Sequence, residues 1–200
     1  MVVMNADQVA ALRALLGPSG WMEQTQEFSR ALRVSARTPG GLLLVGTPDD
    51  EPWHLTAHLD DESRLAGIPG LAPTLVRWSP PADAPAHLRV GMARLEAARR
   101  GETLLVVSAE AAPASLLERV DDARRTGATI LALDQGDPEL DGLAHESLIV
   151  PAGSALVSFD AAQHLVSAAA GGQHDRPRYR SLRRRLARLL DALSGTPPPG

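Results

Sequence analysis

The chain has 200 residues, 44% of them hydrophobic, and a formal net charge of −4. That is apolar material enough for one α/β domain with its own core, and the charge gives no general attraction to nucleic acid. The absence of cysteine excludes disulfides, thiolate nucleophiles and cysteine metal sites, and because all 20 basic residues are arginine, Schiff-base lysine chemistry is excluded too.

In chain order, Asn5–Leu16 places Val9, Leu12, Leu15 and Leu16 on one helical face, with Asp7 in the first turn where the helix dipole favours it. Gly17–Gly20 breaks that helix, and a second is expected over Glu23–Arg37 with Phe28, Leu32 and Ser35 along one side. Leu42–Val45 reads as the first strand, Thr47–Pro52 as a loop, Trp53–Leu65 as a helix and Thr74–Trp78 as a second strand. After the proline-rich turn Ser79–Pro85, His87–Arg100 reads as a helix. Thr103–Val107 (TLLVV) is a short unbroken apolar run of the kind a strand buried on both faces needs. Beyond the loop Ser108–Pro113, Leu116, Leu117, Val120, Ala123 and Ala128 recur at roughly helical spacing, Gly127 ends the helix, and Thr129–Leu133 is another buried strand. This βαβ unit puts Ser108–Pro113 at the carboxyl end of a parallel strand, where the ligand crevice of an open parallel sheet lies. A loop and a last strand lead to Val150–Pro151. Phe159–Ala170 then reads as a helix, Gly171–Pro177 as a linker, Tyr179–Leu193 as an arginine-rich helix and Gly195–Gly200 as a disordered tail by composition.

The segment GETLLVVSAEAAPASLLERVDDARRTGATILALDQGDPELDGLAHESLIVPAG resembles the second half of a sugar isomerase (SIS) domain. In that family a strand runs into a loop of the form S-x-S-G-x-S/T that cradles a sugar phosphate. A helix, an "ARxxGAxxIAL" strand and an "LAxxAD" turn follow, and the last strand ends in Val-Pro. Within the family the likeness is greatest to phosphoheptose isomerases. Gly40–Leu59 (GGLLLVGTPDDEPWHLTAHL) resembles their "GGxxxxxGNGGSAxxAxHxAxEL" segment, and Gly67–Leu75 (GIPGLAPTL) their "GLPAxxL" strand. The resemblance covers about Trp21 to Ala170. It implies a three-layer α/β/α sandwich around a parallel sheet of about five strands, SIS-like in the flavodoxin-type layout. It also implies dimers or tetramers assembled through the amino-terminal helices. On this reading residues 1–175 form the SIS-like domain, 176–194 an amphipathic helix and 195–200 the tail.

Measured against the family's phosphate loop, Ser108 matches the first serine, Glu110 replaces the second, Ala111 the glycine and Pro113 the last hydroxyl. The family's GNGGS turn becomes Gly46, Thr47, Pro48, Asp49 and Asp50. A carboxylate a few ångströms from a phosphate costs on the order of 1–4 kcal/mol at surface-like dielectric, and proline removes an N–H donor. Gly46, Thr47, Asp49, Asp50, Ser108 and Glu110 are therefore expected to form degenerate ligand loops that take a sugar phosphate weakly if at all. Two acidic loops facing one crevice would instead suit a cation or a basic partner. A plainer reading has Ala111–Pro113 start a helix with Glu110 against its dipole, and Thr47–Glu51 cap the Trp53 helix.

His54 and His58 stand four apart, a spacing that sets two imidazoles on one helix face, and Asp160 and His164 repeat it. By the resemblance, His54 matches the histidine of "HxAxEL", His58 stands at the catalytic glutamate and Asp160 near the glutamine that opens the last helix. The second catalytic histidine falls on Ala168 or Ala169. Three imidazoles and a carboxylate make a closed, four-coordinate Zn²⁺ set on paper, and surface or core-lining histidines are the plainer alternative. Aldose–ketose isomerisation needs a base between adjacent carbons and an acid for oxygen. Neither family group survives at His58 or Ala168, so no catalytic residue is expected. His145 and Glu146 lie near the last strand without an assigned partner.

At the carboxyl end, arginines that include Arg183, Arg184 and Arg185 crowd around a Leu182, Leu186, Leu189 and Leu190 stripe. That helix docks on its own domain or a twin subunit, or offers its arginines to an acidic protein or an anionic membrane surface. Tyr179 alone could stack on a base, so nucleic acid is not the expected partner. No apolar run approaches the roughly 20 residues of a bilayer span, and no basic-then-apolar signal opens the chain, so a cytoplasmic location is expected. The expected function is that of a catalytically inactive SIS-like protein serving as an oligomeric binding, regulatory or structural component. The alternative is an active sugar-phosphate isomerase with a rearranged metal-dependent site.

Overall fold

The computed structural model describes residues 20–154 and 157–172. The expected Val9–Leu16 stripe, the Arg183, Arg184 and Arg185 cluster and the tail lie outside the described residues. Six helices and five strands follow in chain order: α1 Trp21–Ser35, β1 Leu42–Val45, α2 Trp53–Ala66, β2 Pro73–Leu75, α3 Ala93–Glu96, β3 Thr103–Ser108, α4 Ala114–Arg125, β4 Thr129–Asp134, α5 Pro138–Leu143, β5 Glu146–Ile149 and α6 Phe159–Ala170. Short 3₁₀ turns stand at Pro69–Leu71 and Ala86–Leu88.

The strands form one sheet in the order β2-β1-β3-β4-β5, and every neighbouring pair is parallel. Parallel strands need crossovers that lay helices on the sheet, so both faces are covered and the strands read as apolar runs. Alternation along each strand sorts the core into two layers. Leu42, Leu44, Leu105, Val107, Leu131 and Leu133 face Phe28 and Leu32 of α1, Leu55 and Leu59 of α2 and Leu165 and Val166 of α6. Leu43, Val45, Leu104, Val106, Ile130 and Ala132 face Leu95 of α3, Leu116 and Val120 of α4 and Leu140 of α5. The expected three-layer α/β/α sandwich around five parallel strands is the architecture observed. β3 lies at its centre and is buried along its whole length.

Local signals hold where they are backbone signals. Gly127 takes φ +95°, a left-handed conformation that favours glycine, and its neighbour Ala128 donates its N–H back to the Ala123 carbonyl at 3.0 Å, closing the α4 terminus. On the other face, α1 and α6 are tied by Ser29 Oγ, which donates to the Val166 carbonyl at 3.1 Å, and by Arg33 Nη2, which donates to that of Ala169 at 2.9 Å.

Three expectations need correction. The helix expected over His87–Arg100 is reduced to the turn Ala86–Leu88 and the single turn of α3. The reason is a backbone pairing: Arg77 N–H donates to the Val90 carbonyl at 2.8 Å and Arg77 bridges Gly91 in parallel, which removes those groups from any helical ladder. The second strand ends at Leu75 rather than Trp78, because past Val76 the chain turns to pair with residues 90–91 and with a side chain, Glu51. Between β4 and β5 the expected loop contains α5, opened by Asp137, whose carboxylate accepts from the N–H groups of Glu139 and Leu140, with Pro138 in the first turn.

Candidate functional site

The chain leaves β1 outward to β2 and returns to β3, after which it proceeds the other way to β5. That reversal makes a topological switch point at the carboxyl ends of β1 and β3. The loops after β1 and β3 both issue there, as expected.

In the loop after β3, the Ser108 hydroxyl is buried and donates to the Glu110 carbonyl, while the Glu110 side chain is exposed. Part of the loop's backbone is committed as well. Ala112 N–H donates to Asp137 Oδ2 at 2.7 Å, and Pro113, which caps α4, has no N–H to offer. Asp137 thus serves two elements at once, one oxygen on the β3–α4 loop and the other on the first turn of α5. Asp134, at the end of β4, is fully buried and its Oδ1 accepts from Gly136 and Asp137. Burial pushes its carboxyl above the usual range, against the pull of those two N–H groups. At the amino end of α4 the carboxylate of Asp137 already holds the Ala112 N–H.

The loop after β1 folds around a glycine for a steric reason. A Cβ on Gly46 would fall 2.1 Å from the Asp50 carbonyl oxygen and 2.8 Å from the Pro52 ring. Thr47 is buried and its hydroxyl accepts from Asp50 N–H at 3.2 Å. The plainer reading of this loop as a helix cap is corrected here, since the residue that caps α2 is Pro52 and no side chain caps that helix. Asp49 and Asp50 are exposed, and with Glu51, Trp53, Arg77 and Trp78 they line a cleft of about 430 Å³. Glu51 braces the wall: Oε2 accepts from Arg77 Nε at 2.9 Å and Oε1 from the Trp78 backbone N–H at 3.0 Å. The Trp78 indole donates to the Gly46 carbonyl at 2.9 Å. Of the six expected ligand-loop residues, Asp49 and Asp50 line this cleft. Sequence reading missed Trp53, Arg77 and Trp78. Their only signal was two tryptophans in a chain with three, in the segments that follow the first two strands.

The four histidine-cluster residues come from α2 and α6, as the spacing predicts. The rings of His58 and His164 meet edge to face with centroids 4.3 Å apart and planes at 62°. His54 and Asp160 are close enough to act electrostatically on His164. Ring packs against ring here, and among the described residues no group of three or more His, Asp or Glu side chains is placed to hold a metal ion. Ala168 is buried and Ala169 gives its carbonyl to Arg33, so neither position supplies an acid or base. His145 does have a partner: its Nδ1 accepts from Ile130 N–H at 2.9 Å, which fastens the entry to β5 on β4.

No family model and no curated protein sequence matches the chain. Solved structures do. The crystal structure of a "putative phosphosugar isomerase" from Silicibacter pomeroyi DSS-3 aligns at 16% identity with a TM-score of 0.52, over 83% of this chain and 48% of that one. The fold is SIS-like. A "putative sugar binding protein" from Salmonella typhimurium LT2 aligns at 18% identity with a TM-score of 0.46, over 84% of this chain and 53% of that one. The chain thus spans about half the length of both proteins. At such identities the likeness is one of fold, and function has to be argued from side chains. Among the described residues no helix is long and apolar enough to cross a membrane.

The histidine pair sets a pH dependence. Burial holds His164 below the ordinary imidazole value, the positive charge of His54 lowers it further, and Asp160 opposes both. The unfolded chain then takes up this proton at a higher pH than the folded one, so stability falls as pH drops from about 6.5 through the lower folded value. Urea midpoints measured from pH 7.5 to pH 5 should show this loss in the parent and a smaller one in His164→Gln. Equal losses would remove His164 as a source of the acid sensitivity.

Proposed function

We propose that the chain is a ligand-binding or regulatory component built on an SIS-like fold, acting in the cytoplasm, and that it does not isomerise sugar phosphates. The observation that carries this reading is the hydrogen bond from Ala112 N–H to Asp137 Oδ2 at 2.7 Å. A carboxylate of the chain itself stands where a phosphate cradle would present a donor, with Glu110 and the proline at 113 beside it. Like-charge repulsion at this distance removes the electrostatic gain that makes a helix amino terminus an anion site. The chemistry argues the same way, because His58 packs against His164 and the position of the second family histidine is an alanine.

Calorimetry with hexose and heptose phosphates is expected to give no dissociation constant in the micromolar range. Asp137→Ala should cost about 1 kcal/mol of stability through the lost α5 cap, and raise phosphate affinity by removing the charge. Micromolar binding by the parent would overturn the reading.

One observation favours the alternative, a rearranged metal-dependent isomerase: His54, His58, Asp160 and His164 gather between α2 and α6. Zinc binding would require the His58 and His164 rings to turn from their edge-to-face contact. On that alternative, metal-free protein takes up about one zinc per chain by elemental analysis and His58→Ala abolishes the uptake. No uptake, or uptake unchanged in the variant, leaves the cluster as a packing feature.

The reading includes a homo-oligomer, dimer or tetramer, formed through the Val9, Leu12, Leu15 and Leu16 stripe. Burying four such side chains is worth roughly 6–12 kcal/mol before association costs. Light scattering at micromolar concentration should report more than one chain per particle and a monomer for Leu12→Asp/Leu16→Asp; a monomeric parent refutes it.

A further inference from the structure

Two carboxylate oxygens are buried without a hydrogen-bond donor among the described residues, Oδ2 of Asp134 and Oδ1 of Asp141. Asp134 ends β4 with no exposed surface, and its other oxygen, Oδ1, accepts from the N–H groups of Gly136 and Asp137. Asp141 stands one turn into α5, where its N–H donates to the Asp137 carbonyl at 2.9 Å, and its charge acts on Asp134 more strongly than that of Asp137. Among the described residues no cation is paired with either carboxylate. β3 and β5 place Ser108 and Ile149 in register with Asp134, the Glu110 and Glu139 side chains are exposed, and Arg124 of α4 is engaged by the Gly142 carbonyl at the other end of α5.

Two ionised carboxylates so placed would repel each other where water screens poorly, and each would lack a hydrogen bond to hold its charge. A single proton removes both defects. A carboxyl O–H on Asp134 becomes a donor, and ionised Asp141 becomes its acceptor.

We propose that Asp134 and Asp141 share one proton in the folded protein, Asp134 Oδ2–H donating to Asp141 Oδ1, and that this proton clamps the loops after β3 and β4 to α5. The clamp reaches both loops because Asp134 fixes the turn that carries Asp137. Asp137 in turn holds the Ala112 N–H of one loop and the Glu139 and Leu140 N–H groups of α5. Loss of the proton to water leaves two buried charges side by side and loosens that chain of contacts. The inference concerns the loops themselves, with or without a ligand, and so does not depend on the function proposed above.

The sign of the pH dependence follows from the surroundings. Burial first, and then the Asp141 and Asp137 charges, hold the Asp134 carboxyl above the ordinary range against two N–H groups. The folded chain keeps this proton after the unfolded chain has released it, so the stability it contributes is complete below about pH 3.9 and is lost as pH rises through the folded value.

The test follows the aspartate carboxyl ¹³C signals of the full chain between pH 3 and pH 8, with Asp134 assigned through its own backbone resonances. The expected result is an Asp134 midpoint above the ordinary aspartate range that moves to lower pH in Asp141→Asn, whose amide removes the like charge and offers a donor. Asp134→Asn keeps an acceptor for Gly136 and Asp137 and supplies the N–H that Asp141 lacks, so its urea midpoint should gain on that of the parent as pH rises from 4 to 7. The His164 contribution is common to both chains and cancels. Over the same range, protection of the Ala112, Glu139 and Leu140 N–H groups against hydrogen exchange, corrected for the intrinsic rise with pH, should fall several-fold in the parent and stay level in Asp134→Asn. An Asp134 midpoint within the ordinary range, a midpoint unmoved in Asp141→Asn, or an Asp134→Asn chain that loses stability against the parent with rising pH or fails to fold overturns the shared proton. Unchanged protection in the parent overturns the clamp.

Discussion

An all-parallel sheet has to be covered on both faces, and nearly every other feature of this protein follows from meeting that requirement. β3 at the centre has no residue that reaches solvent, so its Leu104, Leu105, Val106 and Val107 must be apolar whichever face they point to. The chain meets the requirement with α1, α2 and α6 on one side and α3, α4 and α5 on the other. The two layers are not equivalent. The first is built on long helices that interlock by hydrogen bonds from Ser29 and Arg33, and the second relies on α4 with two helices of six residues or fewer.

Because all strands run the same way, their carboxyl ends gather the loops at one edge, and the electrostatics there are set by carboxylates. Asp134 and Asp137 organise the loops after β3 and β4 by accepting from backbone N–H groups, the work that a bound anion does at comparable helix ends. Asp49, Asp50 and Glu51 dominate the loop after β1, and only Glu51 has a cationic partner. An SIS-like frame is thus combined with strand ends rich in carboxylates. A fold does not by itself fix the chemistry of the site built on it.

The histidines illustrate how packing changes the meaning of a spacing. His54 and His58 on α2, and Asp160 and His164 on α6, converge because α2 and α6 lie side by side on one sheet face. Convergence alone does not orient lone pairs. The His58 and His164 rings touch edge to face, and desolvation then favours the neutral form of His164.

The sequence by itself determined the strands at Leu42–Val45, Thr103–Val107 and Thr129–Leu133, the last two one residue short of those observed, the helices at Trp53 and Phe159, and the layered fold they imply. These are local quantities, since a buried strand needs an apolar run and a helix needs a 3.6-residue stripe wherever it packs. It also placed Asp49 and Asp50 beside the crevice and brought the histidine pairs to neighbouring helices. Tertiary structure alone decided the rest. Pairing of Arg77 with residues 90–91 dissolved the helix expected over His87–Arg100, because backbone groups used across 13 or so positions are no longer available within one turn. Contact between Ala112 and Asp137, and the assembly of Glu51, Trp53, Arg77 and Trp78 into one wall, likewise join residues about 25 positions apart. No periodicity encodes such meetings; the register and order of parallel strands bring them about.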